Sequence, residues 1–399
     1  MQIDTNKEKI EELLSRGVEE VIEKEHLKDA LLSGKRLRVK FGVDPTAPDL
    51  HLGHSVPLRK LKQFQDLGHQ VVLLIGDFTA KIGDPTGRDQ TRKPLTDEDV
   101  KENMKNYLEH AEKIIDLKKT EIVYNNDWFS KEGAKDLIEL TKAVTFQQIL
   151  RRADFKKRID EGNEITLNEM LYPMLQGYDS VKVKADVEIG GTDQIFNLLT
   201  GRRIQRHYGM KEQDVLTVPL LEGTDGVKKM SKSVGNYIGL SEEPFVMFEK
   251  VMLVPDDLIV KYFSLCTDVS ESDIEMISKR LKSDENPRDV KLELGEKIVS
   301  MYHSKDDAKK AKEEFLNVFS RKEKPTDIEE FKVPKKEISL VELLTESKLA
   351  TSKSDARRLI EQGGVRINDE VEKDIKKILM FKGGEIVQVG KRRFLKIKI

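Results

Sequence analysis

Read for the spacing of its apolar residues, the chain switches repeatedly between a helical and an extended period. Up to about Gly34 the apolar positions fall at helical spacing among Glu and Lys, which predicts a helix punctuated by Gly17. Residues 37–43 predict a strand, closed by the turn-rich Asp44-Pro45-Thr46-Ala47-Pro48-Asp49. Leu58, Leu61, Phe64 and Leu67 then recur at three-residue steps and predict a helix ended by Gly68. Proline belongs in a first helical turn, so Pro57 places that helix start between Gly53 and Val56. Residues 71–75 form a continuous apolar run of strand length, as a buried parallel strand requires. Strand, turn, helix and buried strand make one βαβ unit, so the expected class is α/β with a doubly wound parallel sheet.

From Thr96 to about Gly162 the pattern is helical, with Glu121–Tyr124 as a single strand-like segment. Alternation returns as a strand at 181–189, a helix at 195–208 and a strand at 215–221, followed by a loop at 222–235 and further helices at 242–320. The segment 321–337 is charged, carries two prolines and reads as a linker. The expected organisation is a sheet domain at 1–235 with its helical insertion at about 96–162, a helical domain at 236–325, a linker at 326–337 and a small tail domain at 338–399.

Composition narrows the class. Apolar residues make up 38% and charged residues 36%, which suits a buried core under a polar surface. No run approaches the ~18 apolar residues that span a bilayer. The first residues lack a basic start followed by an apolar run, so no secretory signal is read. A single cysteine, Cys266, excludes an intramolecular disulfide and a cysteine-based zinc site, and the expected compartment is cytoplasmic. The net charge of −2 hides an asymmetry: residues 338–399 carry 14 Lys+Arg against 9 Asp+Glu, and the remainder 56 against 63. A basic tail on an acidic body points either to a polyanionic partner or to a solvated lysine-rich surface.

Two segments carry candidate chemistry. His51-Leu52-Gly53-His54 lies at the carboxyl end of the first strand, where open α/β sheets bind ligands. A helix N-terminus there offers free N–H groups and positive dipole to phosphate, and Gly53 lets a nucleotide approach the backbone. Two imidazoles can donate to phosphoryl oxygens that gain charge in a transition state. Lys228-Lys229-Met230-Ser231-Lys232-Ser233, flanked by Gly223, Gly226 and Gly235, reads as a mobile loop whose lysines clamp a triphosphate. No G-x-x-x-x-G-K-[ST] occurs, so a Walker-type loop is excluded. Tyr172, Gln176 and Asp179, at i, i+4 and i+7, share one helix face and can line one pocket. Asp193, after Gly190-Gly191, can cap the next helix. In the tail, Ser352 and Asp355 read as a capping box for a helix bearing Arg357 and Arg358.

Together the histidine pair and the KMSKS loop resemble the two signatures of class I aminoacyl-tRNA synthetases. FGVDPTAPDLHLGH, IGDFTAKIGDPTGR, YPMLQGYDS and EIGGTDQIFN are similar to stretches of the bacterial tyrosyl-tRNA synthetases, and the similarity extends over nearly the whole chain. The resemblance implies a Rossmann-like doubly wound parallel sheet with a helical insertion, an α-helical domain and a small C-terminal α+β RNA-binding domain of ribosomal-protein S-four type. It implies activation of L-tyrosine by ATP with Mg2+, transfer of tyrosine to tRNA(Tyr), and a homodimer formed through the helical insertion, with no dedicated metal site and no membrane. Carried over by position, Asp44, Thr46, His51, Gly53 and His54 would form the ATP site, and Gly191 and Asp193 would hold the ribose. Gln194 would lie near the reacting carboxyl group. Lys229 and Lys232 would contact pyrophosphate and, with His51 and His54, would be the catalytic set. Tyr172, Gln176 and Asp84 would surround the α-ammonium group with Thr79 and Asn125 nearby, and Asp179 would accept the phenolic hydroxyl. Arg357, Arg358, Lys391, Arg392 and Arg393 would meet RNA phosphates.

One position departs from the pattern. Many members carry a tyrosine where this chain has Lys40, so the lysine either pairs with Asp179 at the hydroxyl site or points elsewhere. Three rivals remain at this stage. Tryptophanyl enzymes share the fold and both signatures but lack this kind of tail, and Asp179 suits a phenol better. A small nucleotidylyltransferase with an H-x-G-H site would lack the KMSKS loop. A catalytically inactive RNA-binding homologue would have no need of both signatures intact.

Overall fold

The computed structural model describes residues 2–46, 48–86, 95–320, 328, 330–333, 337–368, 370–381, 383–390 and 393–398. It falls into two compact units, Met1–Lys309 and Lys310–Ile399.

The first unit is built on a sheet of β1 (Glu20–Ile22), β2 (Arg38–Val43), β3 (Gln70–Ile75), β4 (Glu121–Tyr124), β5 (Val187–Gly191) and β6 (Asp214–Val218). Their order is β1-β6-β5-β2-β3-β4, parallel throughout except for β1, which runs antiparallel to β6. The chain winds outward from β2 to β3 and β4 on one side and from β5 to β6 on the other. The order therefore reverses between β2 and β5, and such a switch point opens a crevice at the carboxyl ends of the strands. Helices α1 (Lys7–Ser15) and α2 (Lys24–Leu32) flank β1, and α3 (Leu52–Asp66) connects β2 to β3. Next come α4 (Thr79–Ile82) and α5 (Asp97–Glu112), then the insertion helices α6 (Asn126–Phe129), α7 (Ala134–Thr141), α8 (Phe146–Ile149) and α9 (Ala153–Asp160). Helix α10 (Leu167–Lys182) leads into β5, and α11 (Ile195–His207) leads into β6.

Three local expectations change. The N-terminal segment is two helices separated by β1, a three-residue strand too short to show a period, which the sheet recruits through Glu19 N–H donating to Thr217 O at 2.8 Å. Helix α3 starts at Leu52 with His51 as its N-cap, so Pro57 lies inside the helix rather than in its first turn. The alternating segment at 181–184 is the end of α10, and Lys184 takes a left-handed turn (φ 51°) before β5 begins at Val187.

Helix α10 is fixed at both levels that matter for a site. Thr166 caps it, donating from its N–H to Glu169 and accepting from Glu169 N–H at 3.4 Å. Gly177 lets it approach α11, since a Cβ there would sit 2.8 Å from Ile204 and 3.1 Å from the Gly201 Cα.

The helices after residue 236 do not form a separate domain. Helices α12 (Pro244–Met252), α13 (Ile259–Cys266), α14 (Glu271–Lys282) and α15 (Pro287–Tyr302) belong to the first unit. Arg16, just past α1, donates to Ser264 O and Thr267 O at the end of α13, and Tyr262 donates to Glu222 O at 2.6 Å. Helix α16 (Lys305–Ser320) follows.

The second unit carries β7 (Glu330–Lys332), β8 (Glu337–Ser339), α17 (Leu340–Glu346), α18 (Lys353–Glu361), β9 (Val365–Ile367), β10 (Glu370–Glu372), β11 (Ile378–Met380), β12 (Ile386–Val389) and β13 (Arg393–Lys398). Leu340, Leu343, Leu344, Ala356, Ile360, Val365 and Val387 form its core. Strand β7 falls inside the expected linker, yet it pairs in parallel with β13, Glu330 opposite Lys396. Residues 330–333 are thus part of the tail sheet; the other linker residues up to 336, apart from 328, lie outside the described set.

Candidate active site

A cavity of about 530 Å³ opens at the carboxyl ends of β2 and β5, at the switch point. Its wall includes Asp44, Thr46, His51, Gly53 and His54 near α3, and Lys40, Thr79, Asp84, Tyr172, Gln176 and Asp179 deeper in. Gly191, Asp193, Gln194 and Lys229 complete the wall. Asn125 stands one hydrogen bond behind it, on Thr79, and Lys232 turns to Asp49.

At the α3 end, the His51 N–H donates to His54 Nδ1 at 3.2 Å, which leaves the His54 proton on Nε2. The two rings lie 3.8 Å apart between centroids, and a Cβ on Gly53 would press to 3.0 Å of the His51 ring. Burial first, then His54 and the lysines Lys232 and Lys229, pushes His51 down to about 2; burial and the same lysines push His54 down to about 4. Both rings are neutral at neutral pH and act as hydrogen-bonding groups rather than as charges. Leu52 N–H donates to Ile238 O and Leu240 N–H to Leu50 O, lacing the segment after the lysine loop to the start of α3.

The lysine loop is organised by one side chain. Asn236 Nδ2 donates to Asp225 and to the carbonyls of Lys228 and Lys229, while its Oδ1 accepts from Ser231 N–H at 2.8 Å. Met230 is buried beneath the loop. Lys229 pairs with Asp193 at 2.9 Å, and Lys232 pairs with Asp49 and sits over the Tyr237 ring. Asp193 makes no cap for α11, whose N-cap is Gln194; its carboxylate takes the Lys229 ammonium instead.

The deep end carries two sets of hydrogen-bonded polar side chains, one around Asp44 and Asp179 and one around Asp84. Asp44 accepts from Thr79 Oγ1 at 2.7 Å and from Tyr172 Oη at 2.9 Å, an approach possible because Gly76 has no Cβ, which would fall 2.0 Å from Asp44 Oδ1. Asp84 accepts from Gln194 Nε2 at 2.7 Å and from Thr86. Asp179 accepts from Trp128 Nε1 at 3.0 Å and from Asn125 Nδ2 at 3.3 Å. Burial pushes the Asp179 carboxyl up to about 7, against the pull of Lys40 and of these two donors.

Lys40 points elsewhere than to Asp179. Its ammonium donates to Glu188 Oε1 at 2.8 Å, Ser180 Oγ at 2.9 Å and Gln176 O at 3.0 Å, and it reaches Asp179 only through its charge. The cause is register: Lys40 on β2 lies directly opposite Glu188 on β5, so two buried charges of opposite sign neutralise each other within the sheet. Sequence reasoning missed Glu188, Trp128, Asp49 and Asn236. For Glu188 a signal existed, the one acid of β5 matching a base in the middle of β2; nothing local marks the other three.

In the tail, Ser352 caps α18, accepting from Asp355 N–H at 3.1 Å, but the Asp355 carboxylate bonds Thr351 and Arg358 rather than closing a box on Ser352. Arg357 and Arg358 are exposed, and exposed Arg393 donates to Leu349 O. Lys391 and Arg392 lie outside the described residues.

Residues 32–320 match the family described as tRNA synthetases class I (W and Y), and residues 321–395 match the tyrosine--tRNA ligase SYY-like C-terminal domain. The chain belongs to the class I tRNA synthetases (W and Y). Among curated proteins, this synthetase is 50% identical to the tyrosine--tRNA ligase of Thermotoga maritima over 386 residues, 96% of each chain. It is 48% identical to that of Carboxydothermus hydrogenoformans over 408 residues, covering 100% of this chain and 99% of the relative. The synthetase shares its fold with the tyrosyl-tRNA synthetase of Archaeoglobus fulgidus solved with L-tyrosine (TM-score 0.62, 22% identity, 76% of this chain and 99% of that one). The truncated mitochondrial tyrosyl-tRNA synthetase of Aspergillus nidulans gives a TM-score of 0.65 at 23% identity, over 78% of this chain and 94% of that one. Among the described residues, no helix of the synthetase is long and apolar enough to cross a membrane.

Proposed function

We propose that this synthetase joins tyrosine to tRNA(Tyr) at the expense of ATP. One observation carries the reading: a single cavity runs from a helix N-terminus flanked by two histidines and a lysine loop to a buried carboxylate, Asp179, on its floor. The first end suits a triphosphate and the second a phenol. The tyrosine carboxylate attacks the α-phosphorus of ATP, the bond to the leaving pyrophosphate breaks, and tyrosyl-adenylate forms. The 3′-terminal ribose hydroxyl of tRNA then attacks the acyl carbon, and AMP leaves.

The nucleophile in the first step is already ionised at neutral pH, so no general base is needed. Catalysis rests on positioning and on stabilising charge at the phosphates. His51 and His54 offer N–H groups there. Lys229 and Lys232 exchange Asp193 and Asp49 for pyrophosphate oxygens, and Mg2+ enters with ATP as part of the substrate. Asp84 receives the α-ammonium group, Gly191 and Asp193 the ribose, and Asp179 the phenolic hydroxyl. Arg357, Arg358 and Arg393, with Lys391 and Arg392, would face RNA phosphates. The exposed Leu137, Ile138, Phe146, Ile159 and Leu167 on and beside the insertion helices support a homodimer through that region. A cytoplasmic location fits this activity.

Exchange of labelled pyrophosphate into ATP tests the reading. Tyrosine should drive the exchange; tryptophan driving it instead would reassign the substrate, and no exchange by the folded chain would leave an inactive RNA-binding homologue.

A further inference from the structure

We propose that Arg152, a residue of the helical insertion that does not line the cavity, is the positioning residue for the α-ammonium site. It is the N-cap of α9 and is 5% exposed. One arm of its guanidinium reaches Asp84 through a single hydroxyl: Nη2 donates to Thr86 Oγ1 at 3.0 Å, and that hydroxyl donates to Asp84 Oδ1 at 2.7 Å. The other arm reaches the same carboxylate through two amides. Arg152 Nη1 donates to Asn197 Oδ1 at 2.6 Å, Asn197 Nδ2 to Gln194 Oε1 at 2.9 Å, and Gln194 Nε2 to Asp84 Oδ2 at 2.7 Å.

The ring has a direction. A guanidinium only donates and a carboxylate only accepts, so every hydrogen runs from Arg152 towards Asp84. That direction decides the orientation of two amides and one hydroxyl; without it Gln194 and Thr86 could turn oxygen lone pairs on Asp84. Asp154 balances the guanidinium charge with two contacts at 3.0 and 2.7 Å, and Phe155 and Phe196 lie 5.1 Å from its central carbon, so the group is held on all sides. An ammonium at position 152 could not feed both arms from a planar fork. Arg152 touches no substrate; it acts through Asp84 and Gln194. The inference rests on the reading that Asp84 meets the substrate ammonium.

Dissociation constants for tyrosine, tyramine and 3-(4-hydroxyphenyl)propionate separate the cases, since the first two carry the ammonium and the third lacks it. Arg152→Met and Arg152→Lys should each weaken tyrosine and tyramine on the order of 10-fold and leave the deaminated acid unchanged. Thr86→Val, which cuts only the short arm, should show the same ligand pattern with a smaller loss, and it decides the matter if the Arg152 variants do not fold. Equal weakening of all three ligands, or no weakening, would reduce Arg152 to a structural residue and overturn the proposal. Asp84→Asn tells the two readings apart. If it spares the ammonium-bearing ligands, the assignment of Asp84 itself fails; if it weakens them selectively while Arg152→Met does not, only the proposal fails.

Discussion

The two ends of the cavity are made in opposite ways. At the α3 end, the charged groups are partly solvated and change partners cheaply: the Lys229 side chain is 48% exposed and rests on Asp193. At the deep end, Lys40, Glu188, Asn125 and Asp179 are all 2% exposed or less; Lys40 is paired with Glu188 and Asn125 with Asp179, and each has further protein partners. A phosphate chain carries several charges and must be released each cycle, so flexible cations suit it. Telling one hydroxyl from its absence requires an acceptor that gains no replacement donor when the hydroxyl is missing, and a buried site whose other donors are fixed supplies that. On the proposed reading, the chemistry falls to the more exposed end and the selectivity to the buried one.

Four experiments break or sharpen this contrast. The largest effect belongs to the buried pair: Lys40→Met strands the Glu188 carboxylate and should cost the first unit about 3–5 kcal/mol, read as a shift in denaturant midpoint. Adding Glu188→Gln should recover much of it, and failure to recover would mean that the pair is not the unit of stability there. Next, His51→Ala should slow adenylate formation by ~10²–10³ with the tyrosine dissociation constant nearly unchanged. A raised dissociation constant at unchanged rate would make the α3 end a ground-state binding site. Asp179→Asn should lower the preference for tyrosine over phenylalanine by roughly 5- to 150-fold, the value of a hydrogen bond left unmade in a buried site, while ATP binding holds. An unchanged preference would move the hydroxyl contact elsewhere.

The smallest effect is on stability against pH, and its sign differs between the ends. His51 and His54 titrate far below the ordinary histidine value, so the unfolded chain takes up protons that the folded one refuses, and their contribution falls as pH drops below about 6.5. Asp179, pushed up to about 7, takes its proton earlier in the folded chain than in the unfolded one, so acidification from pH 7 towards pH 4 favours the fold. Between pH 7 and pH 5, Asp179→Asn should therefore steepen the fall in Tm, and His54→Asn should flatten it. Parallel curves for the three proteins would show that neither end dominates the acid response.

What could be read from the amino-acid sequence follows the range of the forces involved. Strands β2, β3 and β4 are written in local apolar runs, and they emerge where expected. Strand β1 exists because β6 offers it a partner nearly two hundred residues away, and β7 exists because β13 does; three residues carry no period of their own. The segment at 181–184 alternates like a strand, but the packing of α10 on α11 through Gly177 holds it helical to Lys182. The same division runs through the site. Residues in contiguous motifs could be named in advance and stand around one cavity, whereas the partner of Lys40 is set by strand register and that of Asp193 by a distant loop.

One carboxamide, that of Asn236, gives the lysine loop its mechanics. A loop tied only at its ends rearranges peptide by peptide, but one cross-braced at Asp225, Lys228, Lys229 and Ser231 swings as a plate. Its trailing edge is laced to the first residue of α3, so any swing of the plate would turn about the helix that carries the histidines. On the proposed reading the cationic face of the plate would reach the phosphates as one piece, and its ordering cost would fall on folding rather than on every catalytic cycle.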